Sequence, residues 1–178
     1  MEKKWFGVRT FNGYEQKVID SLKAQINKEH MDNLIGEIYL PTVQEYSFVR
    51  NQLKRKERLL YPGYIFVQME NSNEAIFFVR GIQYVTGYSG ISSMKEKPSP
   101  MDDDEITVMK NVASQIGVDL NVGDTVIVDG HDLYDGQQLR VVSIDPQNEK
   151  IELEVNSLLG DDTASELFDF DQIRKTNN

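Results

Sequence analysis

The chain has 178 residues, no cysteine, two histidines and a formal net charge of −10. A cysteine-free chain has no disulfide framework and no cysteine-based zinc site. No apolar run approaches the ~18 residues that a membrane span needs, and the N terminus lacks the apolar core of a secretory signal. We therefore expect a soluble, cytoplasmic protein with one large or two small domains.

The negative charge is confined to one part of the chain. Residues 1–118 carry 15 basic and 15 acidic residues, whereas residues 119–178 carry 4 basic and 14 acidic residues. Such a change in balance predicts two bodies that meet different partners.

The first body begins with a predicted strand and helix. Trp5–Phe11 is rich in aromatic and β-branched residues and predicts a strand. Asn12 and Glu15 have the spacing of a capping box, so a helix is expected to start there and to end near His30. Two short strands, interrupted at Pro41, are predicted within Glu37–Val49.

A strong strand signal, Tyr64–Met69, follows, with alternate apolar residues on one face. Asn71 and Glu74 form a second capping box, and Gly81 is the expected stop of that helix. Tyr84–Tyr88 reads as a last strand. Ser99-Pro100 then predicts the start of a third helix. This order predicts an α+β fold, a small antiparallel or mixed sheet with helices on one side, and no phosphate-binding glycine motif follows any strand.

The second body has a different pattern. From Gly123 onward, four or five short strand-like runs alternate with turn signals, which is typical of a small β-barrel. The predicted domains are therefore 1–113 and 122–178, joined by a flexible linker at 114–121.

Two groups of residues are candidates for binding. Lys54, Arg55, Lys56 and Arg58 lie between strands, so we expect a loop or hairpin tip that is either merely solvated or contacts nucleic-acid phosphates. The other group is aromatic, and its members either fill the core or anchor a partner helix. They are Phe11, Tyr14, Tyr61, Tyr64 and Phe66.

Two further features have structural explanations. Asp102–Glu105 is a run of carboxylates in the first turn of the third predicted helix, where the helix dipole favours negative charge. His131 follows Asp129-Gly130 and fits a turn. We therefore expect no catalytic residue, no metal and no cofactor.

Several segments together resemble one family. Leu60–Met69 resembles the Phe-Pro-Gly-Tyr signature of the NusG family of transcription elongation factors. Trp5–Glu15 resembles the opening strand and helix start of that family, and Phe78–Arg80 its second helix. Gly123–Gly130 resembles the start of its C-terminal KOW domain, and Glu166–Ile173 resembles the closing strand.

The resemblance implies an N-terminal NGN α/β sandwich and a C-terminal SH3-like KOW barrel. It implies that the NGN domain binds the clamp helices of RNA polymerase through a hydrophobic depression and modulates pausing, termination or antitermination. The implied polymerase-binding residues are Phe11, Tyr14, Tyr61, Pro62, Gly63, Tyr64, Asn71, Ser72, Asn73 and Glu74. Lys54, Arg55, Lys56 and Arg58 match a basic loop near the DNA, an auxiliary DNA or RNA contact.

In this family the KOW barrel recruits Rho or NusE, a small-subunit ribosomal protein that links transcription to the ribosome. The partner-binding loop usually reads Ile-Phe-Gly-Arg, but here it is Leu158, Leu159, Gly160 and Asp161. His131 and Asp132 stand where the family has Pro-Phe. These departures and the acidic balance favour a partner with a basic surface.

Alternative functions remain. A specialised paralog would act as an operon-specific antiterminator that reads a nucleic-acid element through Lys54–Arg58. A ribosome-associated RNA-binding protein would need a basic barrel. An enzyme that uses Asp102–Glu105 or His131 is the weakest alternative. In each binding role we expect a monomer that does not contact a membrane.

Overall fold

The computed structural model describes residues 2–93, 95–156 and 162–176. It divides into two compact units, which we describe separately. The first comprises Met1–Thr42 and Leu59–Ala113, and the second comprises Val43–Arg58 and Ser114–Asn178. In chain order the helices and strands are β1 (Lys3–Thr10), α1 (Glu15–Glu29), β2 (Ile35–Tyr39), β3 (Thr42–Val49), β4 (Gln52–Leu59), β5 (Tyr64–Glu70), α2 (Asn73–Arg80), β6 (Val85–Tyr88), α3 (Asp103–Ala113), β7 (Ile116–Val118), β8 (Thr125–Val128), β9 (Gln138–Asp145), β10 (Lys150–Asn156), β11 (Thr163–Asp169) and β12 (Ile173–Lys175).

The first unit is built on a four-stranded sheet with the order β2-β5-β1-β6. The central pair is antiparallel, from Lys3 opposite Glu70 to Arg9 opposite Tyr64. Because successive side chains of a strand point to opposite faces, both faces of this pair can be covered. α1 and α2 contribute to the core on one face, and α3 packs with Trp5 and Phe66 on the other.

This α+β architecture agrees with the predicted class. The expectation that all helices lie on one side of the sheet is wrong. Trp5 and Phe66 make the second face apolar, and Ile106 and Met109 of α3 bury that face.

The second unit contains strands β8 to β12, as the alternating pattern predicted, together with β3, β4 and β7. Its strand order is β11-β10-β9-β8-β12-β4-β3-β7. Tyr46 of β3 and Leu53 of β4 belong to the same buried cluster as Leu153 and Phe168. The hydroxyl of Tyr46 donates a hydrogen bond to Glu149 at 2.6 Å.

The grouping of Val43–Arg58 with the second unit differs from the predicted domain division. It arises because Arg174 pairs with Gln52 and because β7 pairs in parallel with β3. The predicted flexible linker therefore contains a paired strand, Ile116–Val118.

The predicted starts of the first and third helices are wrong. α1 has Tyr14 rather than Asn12 at its N-cap, because the Glu15 carboxylate binds backbone N–H groups of two turns. The third helix begins at Asp103 rather than at Ser99-Pro100. There the chain stays extended through Met101, whose backbone N–H donates to the Trp5 carbonyl at 2.7 Å.

Gly81 follows α2, as predicted, and adopts a right-handed helical conformation (φ −77°). Within the described part of the chain, no helix is long and apolar enough to cross a membrane.

Candidate protein-docking site

A buried carboxylate joins the two turns that carry the predicted aromatic site. Glu15, the first residue of α1, is only 3% exposed. Its Oε1 accepts hydrogen bonds from the backbone N–H of Gly63 at 2.7 Å and of Gly13 at 3.2 Å. Burial raises the pKa of this carboxyl, but the backbone hydrogen bonds outweigh burial, so the pKa lies below its ordinary value.

Gly63 is required by the same junction. It has φ +83°, a conformation that residues with a Cβ rarely adopt, and a Cβ there would lie 2.5 Å from Oδ1 of Asn12. The Gly63 carbonyl accepts from the Thr10 N–H at 2.8 Å. The Tyr61-Pro62-Gly63 turn is thus held against the end of β1 by backbone contacts on both sides.

The first group of aromatic side chains lies at the start of α1. The Phe11 and Tyr14 rings meet edge-to-face with centroids 6.5 Å apart. Tyr14 also packs on Tyr84 at 4.4 Å. Phe11 remains 55% exposed, so this group presents an aromatic surface instead of filling the core.

The second group surrounds the Tyr61 turn. The Tyr61 ring contacts Phe66 edge-to-face at 6.0 Å and is 42% exposed. Tyr64 is half-buried and packs against the cluster that contains Trp5 and Phe66. Tyr61 therefore faces outward, whereas Tyr64 supports the turn from beneath.

An open, largely apolar hollow of about 380 Å³ lies between the Tyr61 turn and α3. Val108, at its edge, is 60% exposed. The residues that line this hollow are Tyr61, Met101, Asp104, Glu105, Val108 and Met109.

The predicted site thus omitted several of its residues. Val112, further along α3, is 39% exposed. The sequence signal that could have placed α3 in the site is its number of apolar residues, which is larger than one buried helix face needs. No sequence signal indicated Tyr84, whose side chain is brought to Tyr14 only by the fold.

The predicted contact at the start of α2 lies on a well-capped helix end. Ser72 is the N-cap, and its hydroxyl accepts from the Ala75 N–H at 3.3 Å. Asn73 and Glu74 form the first turn. The predicted capping box of Asn71 and Glu74 is therefore wrong, since α2 starts at Asn73 and Ser72 caps it. Asn71, Asn73 and Glu74 are exposed, so these side chains are accessible to a partner.

The basic segment is a strand instead of the predicted loop or hairpin tip. Lys54, Arg55, Lys56 and Arg58 all lie in β4, and the turn itself is at Arg50 and Asn51, which have positive φ. Alternation places Lys54, Lys56 and Arg58 on one face of the strand. All four cationic side chains are exposed.

Part of the predicted barrel site can be placed. The His131 ring packs on Tyr134 and on the buried Phe168, with centroids 5.2 and 5.1 Å away, and its Nδ1 accepts from the Leu133 N–H at 3.2 Å. Asp132 is exposed in the same turn. Leu158, Leu159, Gly160 and Asp161 lie outside the described residues.

Comparisons with known proteins agree with the sequence resemblance. The family model described as "Transcription termination factor nusG" matches residues 3–110. The chain is 34% identical over 171 residues to the transcription termination/antitermination protein NusG of Streptococcus pyogenes serotype M3, covering 93% of each chain. It is 30% identical over 180 residues to the NusG protein of Escherichia coli K12, covering 98% of this chain and 97% of the relative.

Among solved structures, one described as "Domain interaction in Thermotoga maritima NusG" is similar, with a TM-score of 0.49, 26% identity and 99% coverage of both chains. The family match and the identity to these relatives define a transcription factor, not an enzyme. The chain belongs to the NusG family of transcription termination/antitermination factors.

Proposed function

We propose that this chain is an elongation factor whose N-terminal region binds the clamp helices of RNA polymerase and so modulates pausing, termination or antitermination. The observation that carries the proposal is the exposed apolar surface around the Tyr61 turn. Phe11, Tyr61 and Val108 are each more than two-fifths exposed. Exposed large apolar side chains next to a hollow are typical of protein-binding surfaces.

The surface is also preorganised. Glu15 fixes the turns at Gly13 and Gly63 to one another. Binding then orders few new groups, which reduces the entropic cost of docking. An open apolar hollow beside a helix suits a partner helix that inserts apolar side chains.

The rim of the hollow indicates the chemistry of that partner. Asp104 and Glu105 line it beside Val108. A partner helix with apolar anchors flanked by lysine or arginine would therefore complement the hollow in both shape and charge.

The test is binding of the full chain to purified core polymerase. Tyr61→Ala combined with Val108→Ala should weaken the affinity at least tenfold, because both residues line the hollow. Phe77→Ala is the matched control, since Phe77 is 66% exposed on α2 and does not line the hollow. Tyr64→Ala is avoided because Tyr64 packs on the core. Equal affinities for the double variant and the wild type would refute the proposed site.

For residues 122–178 we propose a second partner with a basic surface, with Rho and NusE as the family candidates. The 14 acidic and 4 basic residues of 119–178 support this choice. Binding of the full chain to that partner should weaken steeply as salt rises, because exposed charges are screened. A salt-independent affinity would contradict the charge argument.

A second candidate function rests on β4. Its exposed Lys54, Lys56 and Arg58 share a face, which favours a nucleic-acid contact of the kind that an operon-specific antiterminator needs. Lys54→Gln with Lys56→Gln should then reduce the salt dependence of oligonucleotide binding. Lys23→Gln with Lys28→Gln, on exposed positions of α1, is the charge-matched control. An unchanged salt dependence in the β4 variant would exclude this function.

A further inference from the structure

A small hollow of about 50 Å³ lies beside β6, apart from the docking site. Two arginines line it, Arg9 from β1 and Arg80 from the end of α2. Hydroxyl side chains from Thr86, Ser92 and Ser93 also line it. The fold therefore brings two arginines and three hydroxyl-bearing residues around one cavity.

Arg9 holds its guanidinium group with an unused donor. It lies on β1 opposite Gly87 of β6, and its Nη2 donates to the Ile91 carbonyl at 2.8 Å. Its Nε is buried, and within the described ranges it has no hydrogen-bond partner. A buried donor without an acceptor costs about 1–3 kcal/mol, so native proteins rarely leave one unsatisfied. An acceptor that enters the hollow would satisfy it.

Arg80 is held in place by ring stacking. Its Cζ lies 5.3 Å from the Tyr88 ring centre and 6.0 Å from that of Phe77. Tyr88 supplies no negative charge: its hydroxyl donates to the Ile76 carbonyl at 2.7 Å. Burial raises the pKa of the Tyr88 phenol, and the Arg80 charge opposes that rise only in part, so the phenol is neutral at physiological pH.

The described lining of the hollow contributes no negative charge. Among its described lining residues none is acidic, although the whole chain has 29 acidic residues. Room for the guanidinium is also part of the fold, because a Cβ at Gly87 would lie 3.3 Å from Nη2 of Arg9.

We propose that this hollow is a binding site for a phosphoryl oxyanion, held between Arg9 and Arg80. The planar guanidinium group matches the geometry of phosphate oxygens and makes strong charge-assisted hydrogen bonds to them. The cavity volume accommodates a few water-sized groups, which suits the oxygens of one tetrahedral anion. The anion is either a terminal phosphate monoester or a phosphodiester of a nucleic-acid backbone. The hollow shares no described lining residue with the docking hollow beside Tyr61.

The first test uses inorganic phosphate and the full chain at constant ionic strength, with chloride as the balancing anion. The Nε–Hε signals of Arg9 and Arg80 should shift and saturate in ¹⁵N NMR titrations. Ser92→Asp puts a carboxylate in the hollow without removing either arginine, and it should weaken phosphate binding at least tenfold. Lys23→Gln is the control for a change of net charge, and it should bind like the wild type.

In Arg9→Gln the remaining Arg80 signal should no longer shift with phosphate. Arg9→Gln also removes the hydrogen bond from Arg9 to Ile91, so Ser92→Asp, which keeps Arg9, separates loss of binding from loss of that hydrogen bond. Signals that do not shift, or shifts that do not saturate, would overturn the proposal. Equal weakening in Lys23→Gln would overturn it too, because binding would then reflect overall charge.

The source of the phosphate is decided by two oligonucleotides of one sequence, with a 5′-phosphate or a 5′-hydroxyl. Shifts of the arginine signals with only the phosphorylated strand identify a monoester site, and equal shifts with both strands identify a backbone site. Binding that Ser92→Asp leaves unchanged belongs to another surface and counts against the proposal.

Discussion

Removal of the Glu15 carboxylate should uncouple the two turns that form the docking site. In Glu15→Ala the backbone N–H groups of Gly63 and Gly13 lose their shared acceptor. An unsatisfied buried donor costs about 1–3 kcal/mol. Gly13 is exposed, so water can partly replace the acceptor of its N–H group, and its loss costs less than that of the Gly63 N–H group. We therefore expect the free energy of unfolding of the first unit to fall by about 2–4 kcal/mol. Glu15→Gln keeps an acceptor oxygen and should lose about 1 kcal/mol.

The assay can report on the first unit alone. The chain has a single tryptophan, and Trp5 is buried in that unit. Urea unfolding followed by Trp5 fluorescence therefore measures the stability of the unit that contains Glu15. Hydrogen exchange of the Gly63 amide adds a local measurement, and this amide should lose protection in Glu15→Ala.

The pH dependence follows from the lowered pKa of Glu15. A carboxyl group whose pKa is lower in the folded state than in the unfolded state stabilises the fold fully at pH values above its unfolded-state pKa. That stabilisation disappears as the pH falls through its folded-state pKa. The stability difference between wild type and Glu15→Ala should therefore be full at neutral pH and shrink below the ordinary value of 4.5. Equal stability of the two proteins at pH 7, or a difference that grows towards pH 3, would refute the role of the carboxylate.

Two other contacts give direct predictions. Gly63→Ala should lower the free energy of unfolding of the first unit by about 1–3 kcal/mol, because strain at positive φ adds to the clash with Asn12. Gly13 also has positive φ but has open space around it, so Gly13→Ala should cost less. Equal losses in urea unfolding would contradict the clash. Tyr46→Phe should destabilise the second unit by about 1 kcal/mol through loss of the hydrogen bond to Glu149. A double-mutant cycle with Glu149→Ala that gives no coupling energy would show that this hydrogen bond does not stabilise the unit.

The fold class could be predicted from the sequence because local patterns determine its elements. Tyr64–Met69 alternates apolar residues and forms β5, and the turn signals after Gly123 separate the barrel strands. The helix starts were less predictable. Asn12 has the spacing of a capping residue, but the Glu15 carboxylate is used by Gly63, which is distant in sequence.

The candidate site was only partly predictable for the same reason. The Tyr61–Tyr64 turn has a sequence signature, whereas the approach of Val108 to Tyr61 depends on how α3 packs on the sheet. The basic segment shows a related limit. Four cations among the eight residues Gln52–Leu59 suggested a solvated loop, yet Leu53 is buried and the segment pairs as strand β4. Strand pairing can override the local composition.

Photo-crosslinking from position 108 reports directly on whether the hollow beside Tyr61 contacts the clamp helices. A benzophenone amino acid in place of Val108 lies at the edge of the hollow, and the same amino acid at Lys23 on the exposed side of α1 serves as the control. With core RNA polymerase, we expect position 108 to crosslink to the clamp helices and position 23 not to. Crosslinks from position 108 to other parts of the polymerase only, or equal crosslinking from both positions, would contradict it.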